Sequence, residues 1–264
     1  MKVFVTGASS GIGEALAREC HRRYPASTIG LVARRADELG RVAATLSGAS
    51  VQCYPLDVTD RSALARAAAA FMAVDGAPPD AVIANAGISA GTVTGEAADA
   101  AVFRRILDVN VTGMFDTFAP FVPAMRARGA GRLVGIASVA GIRGLPGAGG
   151  YSASKAAAIA YLESLRVELR GSGVRVVTIA PGYIRTPMTE RNHYPMPFLT
   201  DADAFARRAL DAIARGDSYV VIPWPMHAVA LGLRVLPNWL FDRLFARAPR
   251  KRRAVDAGGN DAGR

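Results

Sequence analysis

Seven short apolar runs alternate with longer stretches of helical pattern along this chain of 264 residues. The strand-like runs are Lys2 to Thr6, Thr28 to Ala33, Ser50 to Leu56, Ala81 to Ala84, Arg132 to Ala137, Val174 to Ile179 and Tyr219 to Ile222. Helices are expected near Gly11 to Tyr24, Ala36 to Leu46, Arg61 to Ala73, Ala98 to Asn110, Val111 to Arg128, Tyr151 to Leu169 and Asp201 to Arg215. Parallel strands cannot be joined by a tight turn and need a crossover, usually a helix. The alternation therefore points to an α/β fold, a doubly wound parallel sheet with helices on both faces, in a single domain. Ligands of such a sheet bind beyond the carboxyl ends of its strands. The glycine run after Thr6, Asn85, Ser138 and Pro181-Gly182 each follow an expected strand, so all four are expected on that one edge.

The first strand runs directly into Thr6-Gly7-Ala8-Ser9-Ser10-Gly11-Ile12-Gly13. The spacing Gly7-x-x-x-Gly11-x-Gly13 differs from the G-x-G-x-x-G fingerprint of Rossmann-type sheets, but the physics is shared. Glycine lets the backbone turn sharply and lets a pyrophosphate come close. A helix starting near Gly11 offers free N–H groups and a positive dipole end to that anion. A tight turn without a ligand would have the same composition, so the residues downstream decide.

In a sheet that binds a nicotinamide dinucleotide, the end of the second strand selects between NAD and NADP. An acid there accepts from the ribose 2′-hydroxyl, and an arginine accommodates a 2′-phosphate. This strand ends Leu31-Val32-Ala33-Arg34-Arg35, with no acid until Asp37. NADP(H) is expected in preference to NAD(H), with Arg34 as the main clamp, helped by Arg35 and Ser9.

Tyr151 and Lys155 lie four residues apart in a helical segment and so share a face. A tyrosine with a pKa near 10 is a poor acid or base at neutrality. A fixed ammonium nearby is expected to pull that pKa down toward the working pH. Ser138 can donate a hydrogen bond to a carbonyl oxygen. With the glycine loop, these residues describe hydride transfer to or from a carbonyl.

The chain resembles the short-chain dehydrogenase/reductases. The matching pieces are Thr6 to Gly13, Asn85-Ala86-Gly87, Asn110, Ser138, Tyr151-Ser152-Ala153-Ser154-Lys155 and Pro181-Gly182-Tyr183-Ile184-Arg185-Thr186, in the family's order. The resemblance implies a Rossmann-type sheet of about seven strands and oxidoreduction of a carbonyl or secondary alcohol. It implies Tyr151 as proton donor, Ser138 on the same substrate oxygen, and Lys155 on both Tyr151 and the nicotinamide ribose. Asn110 would hold a water linking Lys155 to solvent. Arg34 stands about where NAD-preferring members place an aspartate. Asp57 and Val58 would contact the adenine, although Asp57, like Asp60, could instead cap the following helix. Asn85, Ala86 and Gly87 would support the sheet edge and line the ribose. Ile184 and Thr186, after Pro181 and Gly182, would hold the carboxamide. Ala84 replaces the first of two asparagines frequent in the family. Residues 188–202 would form a flap, and Tyr194, Met196, Phe198 and Leu199 in it favour a hydrophobic substrate. A homodimer or homotetramer through the Tyr151 helix and its neighbour is implied.

Hydrophobic content of 51% and charged content of 20% suit a globular chain. Residues 1–250 are read as one dinucleotide-binding catalytic domain, and 251–264 as a basic, disordered tail. Cys20 and Cys53 lack metal-ligand spacing and read as reduced, buried thiols. His21, His193 and His227 form no ligand pair, so no metal is expected. The chain opens on a strand without a signal peptide and has no stretch fit to span a bilayer, so a cytoplasmic location is expected.

The net charge is +10. No nucleic-acid motif accompanies it, so nucleic acid is not an expected partner. The charge suits an acidic carrier, which keeps a 3-oxoacyl-carrier-protein reductase as an alternative. A nucleotide-binding regulator or membrane-associated scaffold without turnover is the rival from another class. Leu236, Trp239, Leu240, Leu244 and Phe245 recur near helical spacing, followed by Arg247, Arg250, Lys251, Arg252 and Arg253. Apolar plus basic suits an anionic membrane surface or a neighbouring subunit. Core or subunit packing is the first expectation, and peripheral membrane contact the second.

Overall fold

The computed structural model describes residues 1–190, 192, 194–251 and 253. β1 (Lys2–Thr6) leads through the glycine loop into α1 (Gly11–Arg23), then β2 (Thr28–Ala33), α2 (Ala36–Ala44), β3 (Ser50–Pro55), α3 (Arg61–Ala73) and β4 (Ala81–Ala84). Next come α4 (Asp99–Leu107), α5 (Gly113–Phe118), α6 (Val122–Arg128), β5 (Gly131–Ile136), α7 (Gly149–Glu168) and β6 (Val174–Pro181). The chain continues as β7 (Ile184–Arg185), α8 (Pro187–Glu190), β8 (Thr200–Asp201), α9 (Ala202–Arg215), β9 (Tyr219–Ile222), α10 (Pro225–Val235) and α11 (Asn238–Phe245).

Seven strands form one sheet in the order β3-β2-β1-β4-β5-β6-β9, every pair parallel. The order reverses at β1 and β4, where Val5 lies between Leu31 and Ile83. That reversal opens the crevice in which a doubly wound sheet binds its ligand. Successive side chains of a strand point to opposite faces. Val3 and Val5 accordingly enter a layer with Leu16, Leu39 and Ile213. Phe4 enters the other, with Phe71, Phe121 and Leu162, its ring 5.3 Å from Phe71 and 4.9 Å from Phe121. Covering both faces is why the central strands are apolar throughout.

Several expectations are corrected. Cys20 is buried but Cys53 is exposed, because β3 is the sheet's edge strand and is only partly covered along its length. No helix break falls between Asn110 and Val111. α4 and α5 run on through a wide π turn, Asp108–Thr112, and the break comes at residues 119–121. Pro120 lies within it and Pro123 just after it, and a proline both lacks an N–H and disfavours helix in the residue before it. The ends of the flap are pinned by the β7–β8 pair, Ile184 opposite Thr200.

The C-terminal helices dock on this chain's own loop. The Arg143 guanidinium donates to the Leu233 carbonyl at 3.1 Å, the Leu236 carbonyl at 2.6 Å and Asn238 Oδ1 at 2.7 Å, and lies 4.4 Å from the Phe241 ring centre. Among the described residues, no helix is long and apolar enough to cross a membrane. Of the tail expected to be disordered, residues 252 and 254–264 lie outside the described residues. Lys251 and Arg253 are described, and their side chains are held in place.

Candidate active site

The glycine loop is built for close approach. Gly7 has φ +67°, a left-handed conformation that favours glycine, and a Cβ on Gly13 would lie 2.2 Å from the Gly7 carbonyl oxygen. Thr6 stitches the next strand end to this loop. Its hydroxyl accepts from the Asn85 and Ala86 backbone N–H groups at 3.1 and 3.2 Å. Asn85 Nδ2 donates back to the Thr6 and Gly7 carbonyls at 3.0 and 3.2 Å. Ser10, at the N-cap of α1, makes no side-chain capping bond, so it leaves the helix's first N–H groups for another acceptor. A Cβ on Gly11 would lie 3.1 Å from Thr186 Cγ2, which brings the segment after Pro181-Gly182 against the same loop. This cradle, too tight for side chains and open at a helix N-terminus, fits the pyrophosphate of a dinucleotide.

Arg34 and Arg35 are both exposed. Arg35, the residue given the minor role from sequence, reaches the loop. Its Nη2 donates to Ser9 Oγ at 3.2 Å and lies 3.5 Å from Ser10 Oγ. Asp57 accepts from the Thr59 N–H at 3.0 Å and hydroxyl at 2.8 Å, and pairs with Arg105, a partner unforeseen from sequence. Against the cost of burial, these contacts hold its carboxyl below the usual range. Asp60 caps α3, accepting from Ala63 N–H at 2.9 Å. Val58 is buried in the core. Ile184 is buried at the start of β7.

The reacting groups gather after β5 and on α7. Ser138 follows the strand, and its Oγ accepts from Ala140 N–H at 3.1 Å. It also sits close enough to the Tyr151 hydroxyl, in the first turn of α7, to ease that group's ionisation. Lys155, one turn on, is 4% exposed and donates from Nζ to the Ile136 carbonyl at 2.7 Å. That Nζ lies 5.9 Å from the centre of the Tyr151 ring. Asn110 is fully buried in the π turn. Its Oδ1 accepts from Ile88 N–H at 2.8 Å, and its Nδ2 donates to the Ile88 carbonyl at 3.0 Å and to Ser154 Oγ at 2.9 Å. Ser154 in turn donates to the Tyr151 carbonyl at 2.7 Å. A Cβ on Gly87 would lie 3.2 Å from Asn110 Oδ1 and 3.6 Å from Lys155 Nζ, so the nucleotide side and the reacting side meet there.

The electrostatics correct one expectation. Burial raises the Tyr151 pKa above its ordinary value, and the nearby Ser138 hydroxyl pulls only partly against it. Burial also lowers Lys155 to about 8. The lysine is desolvated together with the tyrosine and spends its bond on a carbonyl, so it does not bring the phenol down to neutrality in the free protein. In the flap, Tyr194 lies 6.3 Å from Tyr183, ring centre to ring centre, while Met188 and Phe198 are exposed. Sequence reading gave no separate role to Thr6, Ser154 or Arg105, and placed Lys251 in a basic tail suited to a membrane surface or a neighbouring subunit. Two surface hollows, of about 290 Å³ beside Tyr54 and about 380 Å³ beside Arg18, contain none of the catalytic set.

The profile of the family described as short chain dehydrogenase matches residues 1–195. This chain belongs to the short-chain dehydrogenase/reductase family. It is an oxidoreductase whose relatives act on alcohols and ketones. An uncharacterized oxidoreductase of Myxococcus xanthus is 41% identical, over 90% of this chain and 93% of its own length. The cis-4-hydroxycyclohexanecarboxylate dehydrogenase of Sinomonas cyclohexanicum is 35% identical, over 80% of this chain and 82% of its own length. A solved 3-oxoacyl-[acyl-carrier protein] reductase from Brucella melitensis with bound NAD superposes with a TM-score of 0.71 at 31% identity, covering 84% of this chain and 88% of that one. Within this short-chain dehydrogenase/reductase, Tyr151, Ser138 and Lys155 stand together at the strand ends that also carry the glycine loop.

Proposed function

We propose that this chain is an NADP(H)-dependent reductase or dehydrogenase in which Tyr151 exchanges the proton that accompanies hydride transfer. The observation that carries this reading is the Tyr151 hydroxyl set beside Ser138, with Lys155 one helical turn away and its Nζ 5.9 Å from the Tyr151 ring centre. When bound, the nicotinamide supplies or takes up the hydride. The backbone from Gly7 to Gly13, with Ser9, Ser10 and Ile12, receives the pyrophosphate. Arg35 and Arg34 hold the 2′-phosphate. Asp57 and Val58 face the adenine, and Asn85, Ala86 and Gly87 the ribose. Ile184 and Thr186, after Pro181 and Gly182, hold the carboxamide.

In reduction, Ser138 donates a hydrogen bond to the substrate carbonyl oxygen, and Tyr151 gives its proton to that oxygen as negative charge develops. A raised pKa suits this task, because the phenol stays protonated until a strongly basic oxygen forms beside it. Lys155 balances the phenolate left behind and holds the ribose. Asn110 is a positioning residue, fixing the start of α7 through Ser154. In oxidation each role reverses.

The NAD-bound Brucella relative keeps both cofactors open for the family. The preference for NADP(H) rests on Arg35 against Ser9 and on the absence of an acid at the end of β2. Replacing Arg34 and Arg35 together by Ala is expected to weaken NADPH binding by about tenfold or more, as for loss of charge-assisted bonds, with NADH little affected. An equal effect on both, or a higher kcat/KM with NADH in the unaltered enzyme, contradicts the preference.

Tyr183 and Tyr194 support a substrate with an apolar, ring-sized body. The Sinomonas relative's cyclic hydroxycarboxylate is of that kind. A panel of ketones and secondary alcohols followed by NADPH absorbance tests this. The carrier-protein alternative has the Brucella relative in its favour, and salt-sensitive activity on carrier-bound substrate alone would support it. Exposed Phe115 and Val167, on α5 and α7, support self-association through those helices.

A further inference from the structure

We infer that Lys251, beyond α11, completes the substrate site and selects substrates carrying a carboxylate within a ring's width of the reacting carbon. This rests on the reading of Tyr151 as the acid–base group and names the substrate class that group serves.

Beyond α11 the chain turns back across the mouth of the site. Arg250 passes over the 139–148 loop, where a Cβ on Gly147 would lie 2.8 Å from the Arg250 Cβ. Arg253 fastens the strap to the segment after β4. Its Nε donates to Asp99 Oδ2 at 2.9 Å and its Nη2 to Glu96 Oε2 at 3.1 Å, and its backbone forms a parallel bridge with Gly91. Asp99 is 2% exposed and also accepts from Val93 N–H at 2.8 Å, so the anchor is buried and directed. Between these two fixings Lys251 turns inward. Its Nζ lies 5.6 Å from the centre of the Tyr151 ring and donates to Ser89 Oγ at 2.7 Å.

The charge balance shows what this cation lacks. Arg253 has Asp99 and Glu96, whereas half-buried Lys251 has no carboxylate partner among the described residues. Burial alone brings its pKa to about 8, so it is still mainly charged at neutrality. A desolvated ammonium is costly without an opposite charge, and one hydroxyl leaves part of its donor capacity unused. The neighbouring cation, Lys155, adds positive charge at the same ring rather than cancelling it. A substrate anion within a ring's width of the reacting carbon supplies the missing partner. A carboxylate fits better than a phosphate, because the strap offers one ammonium beside a serine and its Arg253 fork is already occupied.

The test compares 3- and 4-oxocyclohexanecarboxylate with their methyl esters, using full-length enzyme and NADPH. The unaltered enzyme is expected to favour the acids in kcat/KM. Lys251→Met is expected to lower the acid-to-ester ratio by about tenfold or more, and Lys251→Arg to restore most of it. A merely structural strap would lower both substrates together and leave the ratio unchanged, and that result overturns the inference. Calorimetric binding of cyclohexanecarboxylate to the enzyme with NADP⁺ gives a readout independent of turnover. Weaker binding in Lys251→Met supports the inference, and equal binding overturns it. Absence of turnover on acids and esters alike, with carboxylate binding still dependent on Lys251, would count against the Tyr151 mechanism and leave the anion site standing.

Discussion

Lys155 and Tyr151 show one physical cause acting with opposite sign. Burial disfavours whichever form is charged, so it lowers the lysine to about 8 and raises the tyrosine. The sign fixes a pH dependence. Lys155 is protonated below about pH 8 and neutral above it, and only the ammonium can balance a phenolate on Tyr151. With an uncharged ketone, which does not engage Lys251, kcat/KM for reduction should therefore fall as pH rises through about 8. Lys155→Met should lower the plateau and remove that limb. A profile that stays flat well above pH 8 in the unaltered enzyme contradicts this assignment.

Between one element and the next, capping residues and prolines decide where helices begin and end. Asp60 holds the first turn of α3 through Ala63 N–H, whereas Asp57 folds onto Thr59 and Arg105. Asp60→Ala should cost about 1 kcal/mol, read as a lower urea midpoint at unchanged NADPH affinity. An unchanged midpoint would mean the cap contributes nothing. The seven strands, the glycine loop and the α7 pair were legible in the sequence because apolar period, glycine spacing and an i, i+4 pair are local signals. The π turn that carries Asn110 was not legible, since it is fixed by Ile88 and Ser154 from other parts of the chain. The β7–β8 pair was missed because two-residue strands have no period. Lys251 was hidden for a different reason: a lysine among arginines reads as solvated surface until the fold supplies Ser89 and the Tyr151 ring around it.

Across the whole molecule, one sheet edge collects segments from distant parts of the chain. β1 brings the glycine loop, β4 brings Asn85 to Gly87, β5 brings Ser138, α7 brings Tyr151 and Lys155, and Lys251 reaches Ser89 beside them. Parallel pairing is what makes this convergence possible, because every strand then ends on the same side. In the proposed mechanism everything turns on the Tyr151 hydroxyl moving the proton during hydride transfer. The most direct measurement is single-turnover oxidation of bound NADPH by Tyr151→Phe on a ketone the unaltered enzyme reduces, with the NADPH Kd determined on the same samples. The rate is expected to fall by about 10²- to 10⁴-fold at an unchanged Kd. A rate equal to that of the unaltered enzyme, at equal Kd, contradicts the mechanism.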